Sequence, residues 1–429
     1  MPFCFIKCAL MLLMSIPVEA SEVKLNESAR VQEAFETSVR VRVLKPVRVV
    51  NLEGYGLSFQ DVRGQIHRAS RLPTKTQAVV TLSSDRHWRV EFPDGSYLDL
   101  VADTLKVDGE FLKLSGARVP DSFDLRFVGR GQFEGILRLN LEDYLKGVLP
   151  SEMPAHWPLE ALKAQAVAAR SYVVSMIRER RAQSFDVESS ILDQVYQFEN
   201  YLNISTKNQK KIQQAVEETR GYILFQPSGE VHRSFYHAHC GGHTEVAERV
   251  WGNGQEDRSS LTVADRRCAL TRSFKWSFSV PREELEAHLG DRFNQSQAPS
   301  SEEAIISEVR PEGVSASGRV SHLRFRTKNG SETLVSTQDF RQMMGFNKVK
   351  STLFELSWDG HNLKLEGQGH GHGVGMCQHG ARFMAKAGRD YQAIINRYYP
   401  KAQLARLGGK DEQLHALNLT SVENDNKRP

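Results

Sequence analysis

The sequence predicts an α+β protein, in which a β-rich N-terminal region is followed by a mixed α/β region. Three observations predict this class. Apolar and polar residues alternate with period two in the first part of the chain, an alanine-rich segment after Pro158 has helical spacing, and no internal repeat is visible. With 429 residues, 40% apolar and 25% charged, the chain has a globular composition and the length for two or three domains.

Short alternating segments predict β-strands throughout residues 21–117. The longest, SVRVRVLKPVRVVNLEGYGLSFQ, spans residues 38–60, and HWRVEF, SYLDLVA and GEFLKLSG follow it. The next segment, FVGRGQFEGILRLNLEDYL at residues 127–145, predicts a hairpin at the beginning of a second region, residues 118–407.

Two helices are predicted in this second region. Pro158, with Glu160 two residues later, is typical of the first turn of a helix. Apolar residues then recur at helical spacing and predict one buried face as far as about Arg181: Leu162, Ala166, Ala169, Val173 and Ile177. A second helix is predicted at residues 209–220, ended by Gly221.

Two further segments are polar and rich in turn-forming residues. Residues 294–319 contain NQSQAPSSEE and PEGVSASGR, which indicate an insertion near residues 281–345. Residues 408–429 are predicted to be a polar tail.

Residues 1–20, MPFCFIKCALMLLMSIPVEA, have the pattern of a secretory signal peptide cleaved after Ala20. The apolar run is too short to span a bilayer, so we expect an exported protein with no membrane span after cleavage. There are 56 basic and 52 acidic residues. This mild positive excess suits an anionic polymer, while the absence of a Lys/Arg run argues against nucleic acid.

Removal of the signal leaves three cysteines, Cys240, Cys268 and Cys377. An odd number in an oxidising compartment predicts one disulfide and one free thiol, and Cys240 with Cys268 is the expected pair. The alternative is zinc, because Cys240 lies among three histidines, His237, His239 and His243, although their spacing is not that of a standard zinc finger. We therefore expect no cofactor, with zinc as the alternative.

Four segments contain polar residues or glycines that a simple core does not require. The first is SEM at residues 151–153, with Lys163, Gln165 and Arg170 on the following helix. Glu152 is placed on a turn before that helix, where an isolated Glu is usually only a helix-entry acid. Gln165 falls near the apolar face and must find partners.

The other three segments are SFDVESSILDQVYQF at residues 184–198, SFYHAHCGGHTEVAERVWG at residues 234–252 and GQGHGHGVGMCQHGA at residues 367–381. The last lacks the pattern of a phosphate loop, so its glycines are expected to let backbone approach a ligand or another segment. Its His372 is either a ligand-binding residue or a core histidine in a Gly-rich turn.

Taken in order, YLKGVLPSEMPAHWPLEALKAQAVAARSYVV, FDVESSILDQVYQF, YHAHCGGHTEVAERVWG and GHGHGVGMCQHGARFMAKAGRDYQAIINRYYP resemble the SpoIID/LytB family. The resemblance covers about residues 124–400. It implies a bacterial protein whose best-understood relatives are lytic transglycosylases, acting on peptidoglycan glycan strands from which the stem peptides have been removed. Other members support cell-wall amidases, so an amidase is a second partner that the resemblance implies.

The resemblance also implies roles for individual residues. Glu152 matches the family's catalytic acid, which would act as general acid and then as general base. The residues that match glycan-binding positions are Lys163, Gln165, Arg170, Thr244, His372 and Gln378. Some relatives carry a His/Cys zinc cluster before the QVY motif, but the corresponding positions here are Val187, Leu192 and Asp193. His370 and Cys377 replace an aromatic residue and a serine of the family pattern.

Three functions are therefore compared. The favoured one is an exported lytic transglycosylase of the periplasm or cell wall. The alternative is a noncatalytic glycan-binding protein that modifies or enhances an amidase. A metal-dependent hydrolase would depend on the histidines alone.

Overall fold

The computed structural model describes residues 38–61, 63–69, 74–83, 86–252, 262–293 and 305–406. Helices and strands are mixed along the chain, which confirms the predicted α+β class. The predicted signal peptide at residues 1–20 and the predicted tail at residues 408–429 lie outside the described residues. None of the described helices is both long and apolar enough to cross a membrane.

Eleven strands of the described chain form one sheet. They are β1 (Val39–Val47), β2 (Val49–Gln60), β3 (Ile66–Arg68), β4 (Lys75–Leu82), β5 (His87–Glu91), β6 (Tyr97–Val101), β7 (Thr104–Leu114), β8 (Ala117–Arg118), β9 (Ser122–Gly129), β10 (Gln132–Leu139) and β11 (Val187–Glu188). Their order is β11, β1, β10, β9, β7, β2, β4, β5, β6, with β3 paired to β2 and β8 to β7.

Period-two alternation places one face of this sheet in the core. In β1, Val39 and Val41 are buried while Arg40 and Arg42 are half-buried on the other face. Trp88 of β5 packs against Phe133 of β10, with ring centroids 5.2 Å apart. The predicted β-rich region ended at residue 117, but strands from both sides of this position form the one sheet, because β9 and β10 pair with β7 and β1.

The predicted hairpin corresponds to β9 and β10, and a helix that the sequence did not predict follows it. This helix, α1 (Leu141–Glu152), begins where the Asn140 side chain accepts a hydrogen bond from the Glu142 amide. Gly147 and Pro150 are poor helix formers and conceal the pattern in the sequence. Glu152 is therefore the last residue of a helix. The sequence-based prediction that it lies on a turn is wrong.

The alanine-rich helix lies close to its predicted bounds. It spans α2 (Leu159–Glu179), with Pro158 at the N-cap instead of the first helical position. Small side chains cover much of its buried surface, so neighbouring helices can approach closely. The second predicted helix is α4 (Thr206–Glu218), just before Gly221.

The remaining elements around α2 are short. They are α3 (Phe198–Asn203), β12 (Tyr222–Phe225), β13 (Tyr236–His237), α5 (Ala247–Trp251), α6 (Arg266–Ala269), β20 (Met376–Cys377), α9 (Gln378–Lys386), α10 (Tyr391–Tyr398) and β21 (Gln403–Arg406). Strand β12 pairs with β21 in antiparallel orientation, whereas β13 and β20 are parallel.

A second hydrophobic core lies between α6 and β20 in sequence. Two three-stranded sheets and two helices surround buried side chains that include Trp276, Phe325 and Phe340. The elements are β14 (Lys275–Pro281), α7 (Arg282–Phe293), β15 (Ile306–Val314), β16 (Val320–Thr327), β17 (Glu332–Ser336), α8 (Thr337–Met344), β18 (Phe354–Trp358) and β19 (Asn362–Gln368). The insertion predicted near residues 281–345 falls within this part of the chain.

A buried ion pair joins the first two helices. Arg170 of α2 is fully buried, and its Nε and Nη2 lie 3.0 and 2.7 Å from the carboxylate oxygens of Glu142 on α1. The same guanidinium donates to the carbonyl oxygens of Tyr222 and Val216. Its hydrogen bonds are thus made inside the protein.

Replacing Arg170 should test this structural role. Arg170→Met leaves the Glu142 carboxylate buried without its cation, and we expect the free energy of unfolding to fall by about 3–5 kcal/mol in urea titrations. The double variant Arg170→Met/Glu142→Leu should recover much of this loss, because no unpaired charge remains. A single variant as stable as the wild type would contradict the structural role.

Candidate functional site

The carboxyl group of Glu152 is half-buried where α1 ends. Its Oε1 accepts a hydrogen bond from the Val195 amide at 2.9 Å. Its Oε2 lies 3.5 Å from Nε2 of Gln378, the first residue of α9. That amide nitrogen is also 3.5 Å from Oε1 of Gln165 on α2. Three of the residues predicted from sequence are thus brought together.

Burial raises the pKa of Glu152 above its ordinary value of 4.5. The Val195 amide, the Gln378 amide and the nearby hydroxyl of Tyr236 act in the opposite direction, because they stabilise the carboxylate. In the part of the chain that the structure describes, neither a cation nor a second carboxylate is among the groups that shift this pKa. The site therefore favours a protonated acid that can also exist as a hydrogen-bonded carboxylate.

The QVY segment presents the Val195 amide to Glu152. Gln194 is buried, accepts a hydrogen bond from the Tyr144 hydroxyl at 2.9 Å and donates one to the Ala169 carbonyl oxygen at 3.1 Å. Tyr196 stacks on Tyr144 with ring centroids 5.5 Å apart. A Cβ at Gly147 would lie 2.4 Å from the Tyr196 ring, so glycine is required there.

Gln165 has a free hydrogen-bond donor at this site. Its side chain is fully buried, and its Nε2 has no partner among the described residues. A buried amide without a partner is costly, and a ligand oxygen would relieve that cost. Gln165 is therefore well placed to bind a ligand beside Glu152.

Lys163 and Arg170 do not contact Glu152 in the structure. The ammonium group of Lys163 lies 2.7 Å from Glu160 and 2.6 Å from Glu218. Arg170 is occupied by Glu142, as described above. The guanidinium of Arg170 is fully buried, and the ligand-binding roles expected for Lys163 and Arg170 stay predictions. Both cations are neutralised by carboxylates, so neither lowers the pKa of Glu152.

Thr244 is also a structural residue. It is fully buried, and its Oγ1 accepts a hydrogen bond from the Val263 amide at 2.8 Å. The Thr244 amide in turn donates to the Val263 carbonyl oxygen at 3.0 Å. The hydroxyl thus attaches the segment after residue 261 to the CGGHT segment, and its glycan-binding role stays a prediction.

His372 uses both ring nitrogens inside the protein. Its Nδ1 accepts from the Val374 amide at 3.0 Å, so the proton is on Nε2, which donates to the Tyr236 carbonyl oxygen at 2.8 Å. Burial holds the pKa of His372 well below its ordinary value of 6.5. The ring packs against Trp251, with centroids 5.0 Å apart. Both ring nitrogens of His372 are thus bonded to backbone groups, and the glycan contact expected from the sequence stays a prediction.

Among the described residues, Cys240 lies in a group of converging metal-binding atoms, and His237, His239 and His243 are not part of that group. His237 donates from Nδ1 to the Val374 carbonyl oxygen at 3.0 Å, and His239 accepts at Nδ1 from the Gly241 amide at 3.1 Å. His239 also stacks on Phe274, with centroids 4.0 Å apart, while His243 is exposed.

The cysteines are arranged differently from the expectation. Cys240, Cys268 and Cys377 are all free and buried, so the disulfide expected between Cys240 and Cys268 is not formed in the structure. Their sulfur atoms lie close together, next to the carboxylate of Asp265.

Three contributors to these sites were missed in the sequence. Val195 binds Glu152 through its backbone amide, so the identity of its side chain could not indicate this contact. Tyr236 immediately precedes the histidine cluster, and Asp265 caps α6 three residues before Cys268. An Asp at this distance is an N-cap signal, although it does not by itself indicate proximity to sulfur.

A cavity of about 360 Å³ lies elsewhere, between the CGGHT segment and the second core. Glu245, Arg249, Arg319 and His322 are among its lining residues, and Glu152 is not. This cavity is therefore separate from the residues around Glu152.

The fold and site define a class of protein: an α+β protein with one half-buried glutamic acid, held by a QVY loop and faced by two glutamines. The family model "Stage II sporulation protein" matches residues 129–225. A second model, for a domain of unknown function (DUF8618), matches residues 258–375 and thus covers most of the second core.

Three relatives extend this match. The chain is 30% identical to stage II sporulation protein D of Bacillus amyloliquefaciens, over 63% of this chain and 76% of that protein. It is 33% identical to an uncharacterized protein of Brachyspira hyodysenteriae, over 61% of this chain and 65% of that protein. It is 31% identical to the amidase enhancer of Bacillus subtilis, over 61% of this chain and 40% of that protein. In the last two cases the chain spans less than two thirds of the relative. The protein belongs to the SpoIID family.

The raised pKa of Glu152 predicts a pH-dependent difference in stability. The folded state keeps the Glu152 proton to a higher pH than the unfolded state, so this stabilisation is full below 4.5 and is lost as pH rises through the folded pKa. Glu152→Gln should therefore be more stable than the wild type at neutral pH. The difference in free energy of unfolding should shrink as pH is lowered towards 4.5 in urea titrations.

Glu188, near the same loop, provides a control of opposite sign. Burial acts to raise its pKa, but ion pairs with Arg42 and Lys45 hold it at about 2. Glu188→Gln should be less stable than the wild type at neutral pH, with the difference lost as pH falls towards 2. A Glu152→Gln variant that behaved like Glu188→Gln would show that the Glu152 carboxylate is stabilised by the fold.

Replacing His372 should affect stability directly. His372→Ala removes two internal hydrogen bonds and an aromatic contact, and we expect a loss of about 1–3 kcal/mol in the free energy of unfolding. His243→Ala is the matched control at an exposed position and should change it by less than about 0.5 kcal/mol. Equal stability of the two variants would contradict a structural role for His372 and would favour a role in binding a ligand.

Proposed function

We propose that this protein is a peptidoglycan lytic transglycosylase, exported to the periplasm or cell wall. Its substrate would be a glycan strand stripped of stem peptides, cleaved at the β-1,4 bond between N-acetylmuramic acid and N-acetylglucosamine. Family membership supports a cell-wall related role. The observation that carries the finer proposal is the environment of Glu152, a half-buried carboxyl with a raised pKa and with no cation among the described residues that shift this pKa.

The first step would use Glu152 as a general acid. Its proton passes to the glycosidic oxygen, the bond from that oxygen to C1 of the muramic sugar breaks, and the N-acetylglucosamine end leaves as an alcohol. Burial raises the pKa of Glu152, which favours the protonated carboxyl that this step requires.

The second step would use the same group as a base. The Glu152 carboxylate takes the proton from the C6 hydroxyl of the muramic sugar, and that oxygen bonds to C1 to close a 1,6-anhydro ring. The carboxyl of Glu152 is thereby protonated again. The reaction needs neither water nor a second carboxylate, whereas paired-carboxylate glycosidases use both.

The neighbours of Glu152 suit this exchange of roles. Val195 and Gln378 direct N–H donors to the two carboxylate oxygens and would stabilise the charge that exists between the steps. The unpartnered Nε2 of Gln165 would bind a sugar oxygen or an acetamido carbonyl. Lys163 is paired with two carboxylates, Glu160 and Glu218, and does not contact Glu152.

One relative supports a second candidate function. The 31% identical protein of Bacillus subtilis is an amidase enhancer. A noncatalytic glycan-binding protein would stimulate a cell-wall amidase without cleaving strands itself. Glu152 would then bind the glycan and take no part in a reaction.

Glu152→Gln separates these functions. The change keeps the side-chain size and removes the transferable proton, so we expect cleavage of purified peptide-free strands to fall at least a hundredfold. Mass spectrometry of wild-type products should show 1,6-anhydro ends. Glu199→Gln, at an exposed position on α3, is the control and should retain full activity. The wild-type rate should fall as pH rises through the raised pKa of Glu152.

Three results would contradict the proposal. Residual Glu152→Gln activity above about a tenth of wild type would remove the acid from its role. Reducing ends in place of anhydro ends would indicate a hydrolase. A wild-type protein that stimulates an amidase but produces no new glycan ends would be the enhancer.

A further inference from the structure

Four side chains with metal-binding atoms converge away from Glu152. They come from three segments: Cys240 follows β13, Asp265 caps α6 and Cys268 lies within it, and Cys377 ends β20. One ligand atom from each lies within 4.8 Å of every other. The three cysteines are fully buried and Asp265 is 9% exposed, so the cluster is nearly closed to solvent.

The spacing of the sulfur atoms fits a shared cation better than a disulfide. Sγ of Cys268 lies 3.6 Å from Sγ of Cys377. Two thiolates on one tetrahedral zinc ion, each about 2.3 Å from the metal, would be separated by about 3.8 Å. A disulfide would bring two sulfur atoms to about 2.05 Å and leave the third thiol without a role.

Backbone amides are directed at these sulfur atoms. The amides of Cys240 and Gly380 both donate to Sγ of Cys377, each at 3.3 Å. The Gly242 amide donates to Sγ of Cys240 at 3.4 Å. Such N–H donors stabilise thiolates, and they are typical of the groups that support metal ligands from outside the coordination shell.

Asp265 is held in position for a fourth ligand. Its Oδ1 accepts from the amides of Arg267 and Cys268 at the start of α6, each at 3.2 Å. Its Oδ2 accepts from the Tyr398 hydroxyl at 3.1 Å. A Cβ at Gly380 would lie 2.4 Å from this Oδ2 and 1.8 Å from the Tyr398 hydroxyl, so the close packing requires glycine.

Charge also favours a cation. Three thiolates and a carboxylate in one buried cluster would repel one another without a positive ion. A divalent ion leaves two negative charges. The buried guanidinium of Arg319, whose Nη2 donates to the Cys240 carbonyl oxygen at 2.6 Å, offsets one of them.

We propose that Cys240, Cys268, Cys377 and Asp265 bind one Zn²⁺ ion in a closed tetrahedral structural site. Thiolate ligands with one carboxylate suit zinc, and four protein ligands leave no open position for chemistry. Binding displaces the thiol protons to solvent, so zinc affinity falls at low pH.

The zinc site would hold the residues around Glu152 in place. Cys377 immediately precedes Gln378, whose amide faces Glu152. The ion would join the start of α9 to the CGGHT segment and to α6, three segments that otherwise meet through short pairings. Its loss should therefore lower thermal stability. This inference does not depend on the proposed reaction.

Metal analysis of the protein purified from the exported fraction tests the site. We expect about one zinc per chain in the wild type, and loss of zinc with a lower melting temperature in Cys268→Ser and Asp265→Asn. His243→Ala, an exposed member of the histidine cluster, is the matched control and should keep its zinc.

Two measurements on the wild type avoid the risk that a variant does not fold. Thiol titration after denaturation with a chelator should detect all three of Cys240, Cys268 and Cys377 as free thiols. Replacement of zinc by cobalt should give the intense visible absorption of tetrahedral cobalt bound to thiolates.

Several outcomes would overturn the proposal. A nonreducing peptide map that links Cys240 to Cys268, with no bound metal, would establish the disulfide. Iron or copper in place of zinc would show a different centre. Zinc that is lost in His237→Ala but retained in Asp265→Asn would show that the fourth ligand is wrong, because the His237 ring lies beside Cys240.

Discussion

The parallel pairing of β13 with β20 is the interaction on which both sites depend. Only two residue pairs form it, Tyr236 with Met376 and His237 with Cys377, yet they join segments that are about 140 residues apart. The pairing brings both Tyr236 and Gln378 close to Glu152. It also brings Cys377 beside Cys240. The hydrogen bonds of His372 to the Tyr236 carbonyl oxygen and of His237 to the Val374 carbonyl oxygen hold the two segments together.

The raised pKa of Glu152 depends on the nearby cations being paired with other carboxylates. Arg170 and Lys163 lie on the same helix as Gln165, and each is paired with carboxylates away from Glu152. Had either cation contacted Glu152, it would have lowered the pKa of that carboxyl and favoured its ionised form. The buried Arg170–Glu142 pair therefore has two effects: it joins α1 to α2, and it keeps a positive charge away from the acid.

The second core adds a part that the SpoIID match does not cover. That match ends at residue 225, while a domain model of unknown function covers residues 258–375. Cys268 belongs to this stretch, and Cys240 and Cys377 lie just outside it. All three cysteines belong to the first hydrophobic core, and Cys268 and Cys377 flank the second core in sequence. A zinc ion bound by all three would hold the two ends of the segment that forms the second core together.

The sequence by itself determined the α+β class, the strands of the first region, the start of α2 and the importance of the segments around Glu152 and Gln378. These features depend on local periodicity, helix-start signals and motifs, which act over a few residues. It did not reveal α1, because Gly147 and Pro150 hide the pattern. It also could not assign Arg170, Thr244 or His372, since a polar side chain in a motif looks the same whether it meets a ligand or the protein.

Only the tertiary structure decided which partners these side chains meet. Arg170 is satisfied by Glu142, 28 positions away, and His372 by Tyr236, 136 positions away. Cys268 meets Cys377 across 109 positions, and Asp265 joins them through the cap of α6. Contacts of this length are set by how the sheets and helices pack. Sequence spacing alone therefore suggested a disulfide, where packing brings three thiols and a carboxylate to one point.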